Sequence, residues 1–426
     1  MIASTSTENE LLLKALYERY QNLKAQNLSL DLTRGKPSKE QLSLSDDILT
    51  NISAEEAREA PDYRNYSTPQ FLTGLPEAKK LFSDVLSIPQ ENIIIGGNSS
   101  LSLMYDTIIR ALLIKLPQAS KSWSEQGKIK FLCPTPGYDR HFGICEALGI
   151  EMINVPLTGH GPDMDYVEKL LLDDPQIKGM WCVPQYSNPT GEIYSDETVL
   201  RLARMKTAAS DFRIFWDNAY AMHHLDFSSE NKYVKNILKA AKDAGNPDRV
   251  FMYASTSKIT YAGAGVAIIA ANEANIAWFQ KQLSFQSIGY DKINQLRHLK
   301  LLPSKDAFLS HMKAHAEILK PKFDAVDEIL TKELGNLGEY ATWIKPEGGY
   351  FISFNTQNNL AKKVVNMAAE AGVKLTKAGA TFPYGIDPSD ANIRIAPSLP
   401  SVDEIKRATE VLAVVTKIAT LERIDL

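Results

Sequence analysis

The sequence predicts an α/β protein, with a large unit built on a mostly parallel central sheet flanked by helices and a smaller α+β unit beside it. Three observations lead there. From about residue 75, short continuous apolar runs alternate with stretches of helical periodicity, the pattern of strands buried on both faces of a parallel sheet. After about residue 305 the texture changes to one long helical pattern followed by shorter strands and helices. The chain has 426 residues, 44% hydrophobic and 23% charged, which is room for two or three domains at about 100–200 residues each. The boundaries drawn from this are 61–304 for the large unit and 305–426 for the smaller one.

The elements follow in order. Leu12, Leu13, Leu16, Tyr17 and Tyr20 recur at helical spacing within residues 8–26. Gly35 and Pro37 then mark a loop in Asp31-Leu32-Thr33-Arg34-Gly35-Lys36-Pro37. A helix is expected over 76–86, a strand over 92–95, the turn Gly96-Gly97-Asn98-Ser99-Ser100 and a helix from Leu101. Further strands are expected at 130–133, 152–155, 179–183, 213–216, 250–253 and 266–270. Beyond them lie a helix at 311–334, strands at 342–345 and 349–354, a helix near 359–371, a strand at 392–396 and a last helix at 402–419.

Composition narrows the class of protein. Lys+Arg number 47 and Asp+Glu 51, for a formal charge of -4, so the basic excess usual in a nucleic-acid binder is missing. No run of about 18 apolar residues predicts a membrane span. The opening MIASTSTENELLLKALYERY does not read as a secretory signal. Cys133, Cys145 and Cys182 form neither a CxxC pair nor an even set, which argues against a disulfide framework or a zinc site. The expectation is a cytoplasmic protein without a metal.

Four islands carry chemistry: Tyr186-Ser187-Asn188-Pro189-Thr190-Gly191, Asp217-Asn218-Ala219-Tyr220, Ser255-Thr256-Ser257-Lys258 and Asn392-Ile393-Arg394. Each follows or ends an expected strand, and ligands of open α/β sheets bind outside the carboxyl ends of strands. A pyridoxal phosphate site needs these residue types. It takes a lysine for a Schiff base, an acid to keep the pyridine nitrogen protonated, donors for the ring oxygen, and a helix N-terminus with hydroxyls for the phosphate. Lys258, Asp217, Asn188 with Tyr220, and Asn98, Ser99 and Ser100 with Ser255 and Ser257 are of the right kind.

In this order the islands resemble those of fold-type I pyridoxal-phosphate aminotransferases of the class I/II family, from about residue 30 to residue 400. Thr33-Arg34-Gly35-Lys36-Pro37, Pro134-Thr135-Pro136-Gly137-Tyr138-Asp139-Arg140-His141 and the stretch from Gly289 to His298 are similar to the aspartate aminotransferase subgroup Ic. The resemblance implies that Lys258 forms the Schiff base and then moves the substrate proton. It implies that Asp217 pairs with the pyridine nitrogen, Asn188 and Tyr220 donate to the ring oxygen, and Tyr138 stacks on the ring. Tyr66 would reach the phosphate of a neighbouring subunit, making a homodimer with shared active sites. Arg394 would clamp the substrate α-carboxylate, with Gly35 approaching it through its backbone, and the small unit would be closed by residues 1–60. The expected reaction moves the amino group of an L-amino acid, aspartate first, to a 2-oxo acid such as 2-oxoglutarate.

One departure stands out. Many members carry a phosphate-binding arginine eight residues after the lysine, where this chain has Val266. The cation for a distal carboxylate is left among Arg34, Lys36, Arg140, His141, Lys292, Arg297 and His298, and His223 and His224 are expected to be structural. Other readings were weighed. Ser255-Thr256-Ser257-Lys258 fits the Ser-x-x-Lys of penicillin-recognising enzymes, but Lys-Thr-Gly is absent. The same fold serves other donors such as alanine or aromatic amino acids, and lyases. A fused transcription regulator would need more than about 30 residues ahead of the first motif.

Overall fold

The computed structural model describes residues 6–59, 71–227, 233–335 and 339–424. The chain enters through helix α1 (Ser6–Ala25), strand β1 (Leu30–Asp31) and helix α2 (Lys39–Ser43). The alternating part follows with α3 (Pro76–Leu86), β2 (Ile93–Ile95), α4 (Ser100–Leu113), β3 (Lys130–Thr135), α5 (Asp139–Ala147), β4 (Glu151–Pro156), α6 (Met164–Asp173) and β5 (Ile177–Cys182). It continues with α7 (Asp196–Arg204), β6 (Arg213–Asp217), α8 (Ile237–Asp243), β7 (Val250–Ser255), β8 (Ala267–Ala270), α9 (Glu273–Gln286) and α10 (Lys292–Leu301). The C-terminal part holds α11 (Lys305–Leu334), β9 (Ala341–Trp343), β10 (Ile352–Thr356), α12 (Ala361–Glu370), β11 (Val373–Lys374), β12 (Asn392–Ile395) and α13 (Val402–Ile424).

Seven strands form the central sheet in the order β2-β8-β7-β6-β5-β3-β4. β8 runs antiparallel to both neighbours, and the other pairings are parallel. Every residue of β2, β5, β6 and β8 is buried, which is why β2 and β8 read as unbroken apolar runs, while β5 and β6 carry an apolar middle beside Lys178, Arg213 and Asp217. Side chains still alternate between faces. Leu132, Met180, Ile214 and Met252 pack into one apolar layer, while Phe131, Trp181, Phe215 and Phe251 pack into the other. The second layer is aromatic, with Trp181 5.1 Å and Phe131 5.4 Å from Phe215, centroid to centroid.

The covering helices obey the same logic. In α7, Val199, Leu202 and Ala203 face inward, Ser195 caps the first turn by accepting from Thr198 N, and Arg201 points out to Asp165 and Glu168.

The C-terminal layer is a three-stranded antiparallel sheet, β12-β10-β9, packed with α11 and α13. The N-terminal segment belongs to the same layer. Leu30 pairs with Val373 and Asp31 with Lys374 in a parallel two-stranded sheet, and the Tyr20 hydroxyl donates to Met367 O at 2.8 Å. Arg19 of α1 bridges Glu333 of α11 and Glu410 of α13.

Some boundaries differ from the sequence expectation for local reasons. Helix α11 begins at Lys305 rather than 311, because Ser304 caps it by accepting from Ala307 N. Strand β10 begins at Ile352 rather than 349, because Gly349 N donates to His223 O instead of a sheet neighbour. The pair β1–β11 was not anticipated, since two residues carry no readable alternation.

Candidate active site

β3, β5, β6 and β7 run parallel, and β2 has the same sense because β8 opposes both β2 and β7. Their carboxyl ends therefore open on one edge of the sheet. The turns leaving that edge carry Asn98 to Ser100, Tyr138 to His141, Asn188, Asp217 to Tyr220 and Ser255 to Lys258. The C-terminal sheet adds Arg394 from β12, and the loop after β1 adds Gly35.

Asp217 ends β6 and is 3% exposed. Its Oδ2 lies 3.0 Å from His141 Nε2, while Oδ1 is buried with no hydrogen-bond partner among the described residues. A buried carboxylate oxygen without a donor is costly. It is the acceptor that a protonated ring nitrogen requires, so the residues fit pyridoxal phosphate. His141 is fixed in turn by stacking on Trp181, with centroids 4.2 Å apart, and Tyr138 meets its ring edge-on at 4.9 Å.

Lys258 is half-buried as a residue, but its ammonium lies deep, 5.1 Å from the Tyr220 ring centroid. Desolvation pulls it below the ordinary lysine range, the Asp217 charge opposes this, and Arg394 adds to it. The three groups thus share one electrostatic environment. Its backbone is held as well, because Tyr350 Oη donates to Lys258 O at 3.1 Å and receives from Gln41 Nε2 at 2.8 Å. Tyr220 is fully enclosed, and burial, then Tyr138 and Asp217, push its hydroxyl well above its ordinary range. It stays a protonated donor.

Arg394 is 5% exposed. Its Nη1 donates to Asp139 Oδ1 at 2.8 Å and to Asn188 Oδ1 at 3.3 Å, and its guanidinium carbon lies 4.8 Å from the Phe351 ring centroid. Nε is buried without a partner among the described residues. Gly35 packs on the same Phe351: a Cβ there would fall 2.8 Å from the ring, so only glycine lets the backbone come this close.

The anion-binding parts also assemble. Ser99 is the N-cap of α4, and its side chain makes no capping bond, which leaves the first-turn amides and hydroxyls open to an anion. Ser255 Oγ donates to Ser257 Oγ at 3.0 Å, Ser257 Oγ to Asn98 O at 3.4 Å, and Asn98 Nδ2 to Gly263 O at 3.0 Å. Val266 is 2% exposed in the apolar layer beneath, its N–H given to Thr256 Oγ1 at 2.9 Å. Tyr66 lies outside the described residues.

The structure corrects part of the list of distal cations. His141 is 1% exposed and committed to Asp217. His298 is buried between Asn294 O and the hydroxyls of Thr256 and Thr260. Lys292 is 3% exposed within α10, and Arg297 is partly buried. Arg34, Lys36 and Arg140 face solvent. His223 is enclosed beside Lys258, which with burial drives it well below its ordinary range, and it packs edge-on against Tyr220 and Tyr350. His224 accepts or donates at Tyr186 Oη, 2.5 Å away. Sequence reasoning missed the partner roles of His141, Asp139, Tyr350 and Gln41. For the first two a signal existed, since both lie within one helical turn of Tyr138.

Comparison with known proteins agrees with this geometry. The family model described as aspartate amino-transferase matches residues 4–425. A Mycolicibacterium smegmatis protein with a provisional aminotransferase name is 47% identical over 407 residues, 95% of this chain and 94% of its own. The aspartate aminotransferase of Corynebacterium glutamicum is 42% identical over 406 residues, 95% of this chain and 92% of its own. The crystal structure of an aspartate transaminase from that organism superposes with a TM-score of 0.94 at 40% identity, covering 99% and 98% of the two chains. The chain therefore belongs to the aspartate aminotransferase family and is a pyridoxal-phosphate-dependent transaminase of fold type I.

Proposed function

We propose that the donor is L-aspartate and the acceptor 2-oxoglutarate, handled by a cytoplasmic homodimer with shared active sites. The observation that carries this reading is the enclosed group of Lys258, Asp217 and Arg394, each within electrostatic reach of the next. Pyridoxal phosphate, when bound, supplies the electron sink for charge left as the Cα–H bond breaks. Lys258 Nζ would take the Cα proton and hold it for return, a step that needs a neutral amine, which burial of the group favours. Asp217 Oδ1 would accept from the ring nitrogen, and Asn188 and Tyr220 would donate to the ring oxygen. Tyr138 would stack on the ring. Asn98, Ser99, Ser100, Ser255 and Ser257 would hold the phosphate, with Tyr66 of the second subunit completing the cradle left without an arginine at Val266.

Arg394 binds the α-carboxylate, aided by the backbone at Gly35. The distal carboxylate goes to Arg140, which faces solvent and lines, with Asp139, Ser102 and Tyr105, a cavity of about 560 Å³. The name of the Corynebacterium glutamicum relative supports an acidic donor. The two units proposed are 61–304 and 1–60 with 305–426. None of the described helices is long and apolar enough to cross a membrane, which agrees with a cytoplasmic location.

The test is a visible spectrum of the purified holoenzyme before and after aspartate is added without acceptor. Loss of the lysine-bound cofactor band with release of oxaloacetate supports the reading. A band that ignores aspartate but responds to alanine or aromatic amino acids overturns the donor. Ammonia and pyruvate would mark an eliminating enzyme.

A further inference from the structure

The ion pair between Arg394 and Asp139 has a use that the reaction scheme leaves open. Arg394 is enclosed, its side chain 5% exposed, and among the described residues its one carboxylate partner is Asp139, at 2.8 Å and 35% exposed. A buried guanidinium without a carboxylate is strongly unfavourable, so Asp139 serves that need while no substrate is bound. The contact is single-pronged. It uses Nη1, which Asn188 Oδ1 shares at 3.3 Å, and leaves Nε buried without a partner among the described residues. A substrate α-carboxylate prefers two parallel bonds to a guanidinium. Two carboxylates share one guanidinium where water screens them, as Glu333 and Glu410 do at Arg19, but around the enclosed Arg394 their mutual repulsion is screened far less and weakens the hold of each.

We propose that Asp139 is a resident counter-ion of Arg394 that the substrate α-carboxylate displaces. The residue thereby sets how tightly amino and oxo acids bind. The proposal rests on the reading of Arg394 as the α-carboxylate arginine. Asp139 is suited to release. It is the first residue of α5, where the helix N-terminus stabilises a negative charge after the partner has left. It also borders the cavity of about 560 Å³, which gives the carboxylate somewhere to turn. Arg394 thus stays neutralised between turnovers, and each substrate exchanges one carboxylate for another at the same nitrogen. Asp139 acts through Arg394 and is a positioning residue.

The experiment measures succinate binding to the holoenzyme by calorimetry, alongside KM and kcat for aspartate. Asp139→Asn and Asp139→Ser remove the competing charge. Both are expected to tighten succinate and lower KM by about three- to tenfold, with kcat changed less than KM. Asp139→Glu keeps the charge and should restore the ordinary affinity. Glu146→Gln, which removes an exposed acid of the same helix outside the cavity, should leave succinate affinity as it was. Succinate binding that is unchanged or weaker in both uncharged variants overturns the proposal, as does equal tightening in Glu146→Gln. The underlying reading is checked separately by Arg394→Lys. If that variant binds succinate as well as the original protein, Arg394 is not the carboxylate site. If it binds poorly while the Asp139 variants are unchanged, only the displacement idea falls.

Discussion

His141 Nε2 lies 3.0 Å from Asp217 Oδ2, and neither side chain is more than 4% exposed. One oxygen of the carboxylate is thereby fixed, and the other is buried without a partner among the described residues. That free oxygen is where a bound cofactor's ring N–H would donate. His141→Leu should strip Asp217 of this donor. Leaving a buried carboxylate oxygen unsatisfied costs about 1–3 kcal/mol. We expect cofactor affinity to fall by roughly tenfold or more for a loss of about 1.4 kcal/mol, read by titrating the cofactor-free protein with pyridoxal phosphate.

Lys258→Ala should lower turnover by at least about a thousandfold, since positioned proton transfer alone contributes 10²–10⁴. Multiple turnovers at near-normal rate would remove Lys258 from the chemistry. A thermodynamic signature accompanies it. In the cofactor-free protein the folded-state pKa is lowered, chiefly by burial, so the charged amine opposes folding at neutral pH. That penalty is full below the folded pKa and fades as pH rises towards the ordinary value of about 10.4. Lys258→Met should therefore stabilise the cofactor-free protein at pH 7, with an advantage that shrinks on the alkaline side. Thermal melts from pH 7 to 10.5 would read it.

Arg394→Ala should weaken binding of amino and oxo acids alike. Truncating one partner of a buried charged pair costs about 2–5 kcal/mol, which would appear mainly in kcat/KM. A variant with unchanged kcat/KM for every amino acid tried would move the α-carboxylate elsewhere.

Glu192 offers a pH test away from the reacting atoms. Its carboxylate accepts from Gly161 N at 3.0 Å and Gly159 N at 3.1 Å, tying the Asn188 loop to the turn after β4. Burial nevertheless raises its pKa to about 7, against the pull of those two bonds. The folded state then holds this proton more tightly than the unfolded state between about pH 4.3 and 7, so this contribution to stability falls as pH rises through that window. Glu192→Gln should raise the melting temperature at pH 8 and change it little at pH 4.5. A gain of equal size at both values would contradict the assignment.

The order of the Asn188, Asp217, Lys258 and Arg394 islands was legible because each lies in or soon after a strand, Asp217 ending β6 and Arg394 within β12, and buried strands announce themselves as apolar stretches. Long elements were legible too, since periodicity accumulates over many residues. By itself, the sequence determined the mostly parallel α/β core and the family. Tertiary structure alone decided the partners. That His141 is held against Asp217 depends on its stacking on Trp181 of the neighbouring strand β5, which nothing local announces. That Asp139 meets Arg394 depends on bringing together residues 255 positions apart. That β1 joins β11 follows from packing rather than from two residues of pattern. Residue type and spacing specify which chemistry a chain can carry. Which charge neutralises which is settled only when burial removes water and distance selects the pairs.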